Sequence, residues 1–252
     1  MKLSVIIATR DRQHIVSVCI NSLIEQISFD NDDVEIIVVN QGQPFKENIL
    51  SPEIKLIQYN GFGASKARNF GAQFASGEYL WFLDDDATVL SLDLNKIDGI
   101  NKLYFVRWKE RRLPMAEFFL KWKFFYSIGL LQYSGTPMYI IKKNCFDDIG
   151  RFDEQIGPGM KISGGEDADL LLRLHRLLGR EPFNVTAEFS HFVEKQNSEK
   201  LKKYAFCRGY ILRKNCNYFL IIVNFFLFAF RSLRYRNSLF LNFKKGLFFY
   251  EH

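Results

Sequence analysis

Four short stretches in the first ninety residues are almost continuously apolar: KLSVIIAT (2–9), VEIIVVN (34–40), IKLIQYN (54–60) and EYLWFL (78–83). Rich in β-branched and aromatic residues, they read as strands covered on both faces, the pattern of a parallel sheet. Between them the period changes. Ile15, Val18, Cys19, Ser22 and Leu23 recur at helical spacing, and GASKARNFGAQFA (63–75) suits a helix with small residues on one face. Strands alternating with helices predict right-handed βαβ units and a mostly parallel sheet. Ligands of such sheets sit outside the carboxyl ends of the strands. Thr9-Arg10, Asn40-Gln41 and Asp84–Asp86 all end predicted strands, so one crevice can collect them.

Beyond residue 90 the pattern changes. Residues 104–128 are basic and aromatic without a clear period, and 136–154 reads as a strand, a short helix from about Lys143, then a loop. GGEDADLLLRLHRLLG (164–179) is the clearest helix: Leu170, Leu171, Leu174, Leu177 and Leu178 form a stripe, acids crowd the first turn and Gly179 ends it. Residues 197–217 are helical in pattern. YFLIIVNFFLFAF (218–230) is a 13-residue apolar block broken only by Asn224, too short for a bilayer, which needs about 20 residues. Bases alternating with Phe and Leu follow.

The chain has 252 residues, nearly half of them apolar, enough for one large domain or a domain with an appendage. Its net charge of +6 is unevenly placed: residues 201–252 hold ten Lys or Arg and one Glu, while residues 1–200 hold 24 basic and 27 acidic residues. That basic fifth also carries ten of the 26 Phe residues. The four cysteines show no C-x-x-C pairing, as expected of a reducing cytosol, and the apolar run at the N-terminus is too short for a signal-peptide core.

Two acidic clusters carry candidate chemistry. An acidic triplet alone reads as a solvated turn or helix cap. Asp84, Asp85 and Asp86, however, directly end an apolar strand holding Trp81 and Phe82. Carboxylates at i and i+2 there suit a hard divalent cation, Mg²⁺ or Mn²⁺, which keeps open positions for phosphate. In GGEDAD (164–169), acids stabilising a helix N-terminus account for one or two carboxylates. The two glycines let the backbone approach a ligand, and a carboxylate at a pocket mouth can act as general base toward a hydroxyl.

SVIIATRDR, GASKARNFGA, FLDDDA, IGRFDE and GGEDADLLLRL occur in the order found in inverting glycosyltransferases of GT-A fold, and residues 2–192 resemble glycosyltransferase family 2. The resemblance implies a metal-dependent enzyme moving a sugar from a nucleotide-sugar to an acceptor hydroxyl. It implies that Asp86 binds the metal, that Asp84 and Asp85 contact ribose and sugar or support the metal, and that His191 is a further metal ligand. Asp167 becomes the base, with Glu166 and Asp169 holding the acceptor or orienting the base. Thr9, Arg10, Arg12, Arg68 and Asn69 fall on the nucleotide side. Asn40 stands where the family usually places an Asp that accepts the imide proton of uracil or thymine; its amide oxygen still accepts, without charge assistance.

The expected architecture is thus an α/β GT-A, Rossmann-like fold over 1–196, with a nucleotide-sugar half (1–90) and an acceptor half (91–196). A helical extension over 197–252 follows. Its expected role is divided between a packed helical layer and docking at the inner face of a cytoplasmic membrane, where Lys and Arg meet anionic head groups and Phe enters the interface. The implied acceptor is a glycan or lipid-linked glycan of bacterial surface polysaccharide synthesis. Nucleic acid is excluded as a partner by the greasy tail and the lack of a recognised module. A sugar nucleotidyltransferase is disfavoured, because ATRDRQ lacks glycine. The remaining alternative is a non-catalytic component that binds nucleotide-sugar or membrane within a polysaccharide assembly.

Overall fold

The computed structural model describes residues 2–27, 33–45, 54–111, 113–191, 198–215, 218–235 and 238–249. The first half is the expected βαβ arrangement. Strand β1 (Leu3–Thr9) is followed by helix α1 (Gln13–Ile24), β2 (Val34–Asn40), β3 (Ile54–Gln58), α2 (Ala64–Gln73) and β4 (Tyr79–Asp84). These four strands lie in the order β3-β2-β1-β4, all parallel, with Thr9 opposite Asn40 and Ala8 opposite Asp84. Leu3, Val5, Ile6 and Ile7 of β1 are fully buried, as continuous apolar runs require of strands sandwiched between helices. Because β4 crosses to the other side of β1, the connections diverge there, and a crevice opens at the carboxyl ends of β1 and β4.

The second half is mixed rather than parallel. Strand β5 (Ala87–Leu92), β6 (Leu103–Trp108), β7 (Tyr139–Lys142) and β8 (Val185–His191) complete an eight-stranded sheet, β3-β2-β1-β4-β7-β6-β8-β5. β7 runs antiparallel to β4 and β6, β8 is parallel to β6, and β5 is antiparallel to β8. The segment without a clear period falls on β6, on the seven-residue helix α3 (Pro114–Leu120) and on the start of a second, α4 (Tyr126–Gln132). Helix α5 (Lys143–Asp148) follows β7, and the leucine-striped helix is α6 (Glu166–Leu178).

Three helices follow: α7 (Ser198–Lys214), α8 (Tyr218–Tyr235) and α9 (Leu239–Leu247). They share a second apolar cluster with the sheet-bearing part of the chain. Leu131 of α4, Ala168 and Leu172 of α6, Ile211 of α7 and Phe243 of α9 meet in it. α7 and α9 cross at two glycines: a β-carbon on Gly209 would lie 2.1 Å from the Phe243 carbonyl oxygen, and one on Gly246 would lie 1.9 Å from that of Phe206. Only residues without a side chain permit backbones this close.

Candidate active site

The crevice at the ends of β1 and β4 is a cavity of about 440 Å³. Both acidic clusters line it: Asp84, Asp85 and Asp86 from the β4 end, and Glu166 and Asp167 from the first turn of α6. Eighty residues apart in sequence, they meet because α6 is delivered by a glycine-rich turn whose Gly165 has φ 93°, a region costly for other residues.

Fixed cations supply the positive charge that three adjacent aspartates demand. Arg12 Nη1 donates to Asp85 Oδ1 at 2.7 Å and approaches Asp86 Oδ2 at 3.4 Å, while Thr9 Oγ1 donates to Asp85 Oδ2 at 2.7 Å. His191, the last residue of β8, puts Nε2 2.8 Å from Asp86 Oδ1. Burial raises the pKa of Asp85 and Asp84 above the usual carboxylate range. The His191 contact instead holds Asp86 below it. Asp86 is therefore the most strongly anionic of the three.

Arg68, buried on α2, ties the clusters together: Nη2 lies 3.0 Å from Asp84 Oδ1 and Nη1 3.2 Å from Glu166 Oε1. Among the described residues, Asp167 has no such cation in contact. Thr136 Oγ1 donates to its Oδ1 at 2.7 Å and Tyr139 OH at 3.3 Å. Burial, then the charge of Glu166, push the Asp167 carboxyl up to about 7. One wall of the cavity thus holds a strongly ionised carboxylate, and another holds a carboxylate poised to exchange a proton near neutrality.

Thr9, Arg10, Arg12, Arg68, Asp84, Asp85, Asp86, Glu166, Asp167 and His191 are brought together around the cavity. Three expected site residues are placed elsewhere. Asn40 is fully buried and spent locally: its Nδ2 donates to the Gln43 carbonyl and to Gln58 Oε1, and its Oδ1 accepts from Gly42 N–H. Asn69 braces a loop, exchanging hydrogen bonds with the backbone of Phe152 and donating to Glu154. Asp169, fully buried, pairs with Arg173 and Lys214 at 2.8 Å each and accepts from Asn215 Nδ2. It anchors α6 to the end of α7.

The neighbour of Asn40, by contrast, reaches the cavity. Gln41 lines the cavity, and its buried Oε1 has no hydrogen-bond partner among the described residues. Such an acceptor is costly unless a ligand donates to it. Sequence reading also missed Trp108, from the segment without a clear period, and Thr136 and Tyr139, at the start of the strand read within 136–154. Trp108 stacks on Phe189 and meets His191 edge-on.

A parallel half-sheet ending in an acidic cleft, closed by a mixed second half, is the GT-A class of architecture. Residues 4–97 of the chain match the family model described as Glycosyl transferase family 2. It is 32% identical over 125 residues to "Uncharacterized glycosyltransferase EpsJ" of Bacillus subtilis, covering 43% of this chain and 36% of that protein. It is 38% identical over 80 residues to "Minor teichoic acid biosynthesis protein GgaB" of the same organism, covering 28% of this chain and 9% of that protein. This chain therefore spans well under half the length of both relatives. Among solved structures, S. aureus TarS 1–349 in complex with UDP-GlcNAc superposes with a TM-score of 0.59 at 18% identity, over 86% of this chain and 72% of that one. The mannosyltransferase PcManGT from Pyrobaculum calidifontis, in complex with GDP-Man and Mn²⁺, gives 0.55 at 14% identity, over 85% and 62%.

Proposed function

We infer that the chain transfers a glycosyl group from a nucleoside diphosphate sugar to an acceptor hydroxyl, with inversion at the anomeric carbon. The observation that carries this reading is the placement of Asp86 and Asp167 on one cavity. The bond from the anomeric carbon to the diphosphate oxygen breaks with its electron pair leaving on the diphosphate. The acceptor oxygen forms the new bond from the opposite face and gives its proton to Asp167. Inversion follows from attack opposite the leaving group.

Each side chain has a role in that scheme. Thr136 and Tyr139 both donate to Asp167 Oδ1, which fixes the carboxylate and leaves Oδ2 to take the proton. Arg68, between Asp84 and Glu166, holds the two clusters at a set separation. Arg10 and Arg12 face the leaving diphosphate, which guanidinium groups recognise through paired donors. Gln41 Oε1 accepts an N–H from the edge of the nucleobase, the role expected of Asn40.

Asp86 and His191 form a donor set suited to Mg²⁺ or Mn²⁺: a strongly ionised carboxylate beside an imidazole, at a cavity with room for phosphate. Among the described residues no group of three or more His, Cys, Asp or Glu is arranged to hold a metal ion, so phosphate and water would complete the shell. When bound, the cation supplies positive charge to the departing diphosphate. One structural relative was solved in complex with Mn²⁺, which supports a divalent cation as the group held here. The acceptor proposed is a glycan or lipid-linked glycan of a bacterial surface polysaccharide, in keeping with the teichoic acid relative.

The test is a panel of UDP-, GDP-, CDP- and dTDP-sugars, with Mn²⁺, assayed for binding by thermal shift and for release of nucleoside diphosphate. One donor binds and turns over. Asp167→Asn keeps its affinity within about threefold and loses turnover by about 10²–10⁴-fold, the contribution of a positioned base. Binding without any release of diphosphate would favour a non-catalytic component. Near-normal turnover in Asp167→Asn would remove it as base.

A further inference from the structure

The basic, Phe-rich end of the chain divides into two kinds of surface. α7 and α9 are packed: Ile211, Leu212 and Phe243 are fully buried, and the helices cross at Gly209 and Gly246. α8 is different. Leu220 and Asn224 are buried, whereas Phe219, Ile222, Phe226, Phe230 and Leu233, spaced three and four residues apart, are between 49% and 81% exposed. Spacing of that kind puts these five along one side of the helix. Isolated exposed apolar residues are ordinary, but a continuous stripe of large ones marks an interaction surface.

Charge identifies what covers it. Residues 218–249 contain Arg231, Arg234, Arg236, Lys244 and Lys245 and no Asp or Glu. Lys244 and Lys245 are exposed on α9, and so are Leu241 within it and Phe248 just past its end. An apolar stripe in a segment that carries bases and no acids complements anionic lipid, where acyl chains take the rings and head groups take the cations. A bilayer span is not the alternative, because no described helix is long and apolar enough to cross a membrane. A similar surface lies nearby: Trp122 and Phe124 are exposed and alternate with Lys121 and Lys123, next to α4, whose Leu131 packs in the same cluster as Leu220 of α8.

We propose that the exposed stripe of α8 lies in the interface of an anionic bilayer, with Lys244 and Lys245 of α9 against the head groups. The packed α7–α9 pair carries this docking helix on α6. The proposal does not rest on glycosyl transfer, and vesicle binding is read without any donor or acceptor.

The experiment is co-sedimentation of the full 252-residue chain with vesicles of phosphatidylcholine alone or containing 30% phosphatidylglycerol, at about 50 and 500 mM salt. The chain sediments with the anionic vesicles at low salt, and raising the salt weakens binding. Phe226→Ser/Phe230→Ser, at exposed positions, lowers the partition coefficient at least tenfold, with the melting temperature unchanged. Lys244→Glu/Lys245→Glu lowers it and flattens the salt dependence. Failure of the wild-type chain to sediment with anionic vesicles overturns the proposal. So does light scattering that shows a dimer dissolved by Phe226→Ser/Phe230→Ser, since a second copy would then cover the stripe.

Discussion

Asp167 owes its character to what surrounds it: enclosure in protein, the neighbouring charge of Glu166, and two hydroxyl donors on a single oxygen. A carboxyl raised to about 7 in the folded chain and near 3.9 when unfolded binds more protons folded than unfolded between those values. Its contribution to stability is therefore full below about pH 4 and lost as pH rises through about 7. Asp167→Asn, which keeps an acceptor for Thr136, should melt higher than the wild type at pH 8, and the gap should close toward pH 4. Differential scanning fluorimetry across that range checks it, and a lower melting temperature at pH 8 would contradict the burial of this charge. Asp86→Ala should abolish Mn²⁺-dependent binding of the donor in calorimetry while leaving the fold intact. Gln41→Ala should weaken binding of the free nucleotide by about tenfold, about one hydrogen bond to a buried acceptor; Asn40→Ala should instead act on stability. Both acidic clusters were legible in the sequence, because carboxylates at the end of a buried strand and at a glycine-led helix start need a partner. The choice between Asn40 and Gln41 was not. Side chains alternate along an extended strand, so only one of two adjacent amides faces the cavity, and their identical chemistry hides which.

The elements hold the site through buried ion pairs that cross between them. Arg68 on α2 binds β4 through Asp84 and α6 through Glu166. Arg68→Ala strands two largely buried carboxylates, a loss of about 3 kcal/mol or more. At about 2–4 °C per kcal/mol for a chain of this size, the melting temperature should fall by about 6–12 °C at pH 8. The α7–α9 crossing is equally specific. Gly209→Ala should cost about 1–3 kcal/mol by overpacking, seen in urea unfolding as a lower midpoint. The parallel strands and their helices were read nearly to the residue, since strands covered on both faces cannot conceal an apolar run. β5 was missed because its six residues alternate and only Ala87 and Val89 are well buried. α3 and α4 were missed because seven-residue helices with outward-facing aromatics, such as Phe118, lack an amphipathic stripe. Trp108 comes from that same segment and Thr136 and Tyr139 from the strand region after it, where apolar pattern shows a strand but not which side chains reach the cavity, so the wall around Asp167 was the least legible part of the site.

Across the whole molecule, the parallel half presents Asp86 with Arg10 and Arg12, the mixed half presents Asp167, and the C-terminal helices brace α6 from behind through Asp169, Lys214 and Asn215. The proposed mechanism rests on this division: charge of the leaving diphosphate would be met on one side of the cavity, and the acceptor's proton taken on the other. The decisive experiment is the pH dependence of diphosphate release from the donor that binds, in wild type and Asp167→Asn, between pH 5 and 9. Wild-type turnover should climb tenfold per pH unit below about 7 and level off above it, while the variant, about 10²–10⁴-fold slower, should show no limb there. A limb near 7 that persists in Asp167→Asn, or a variant as fast as the wild type, would mean that the proton goes elsewhere.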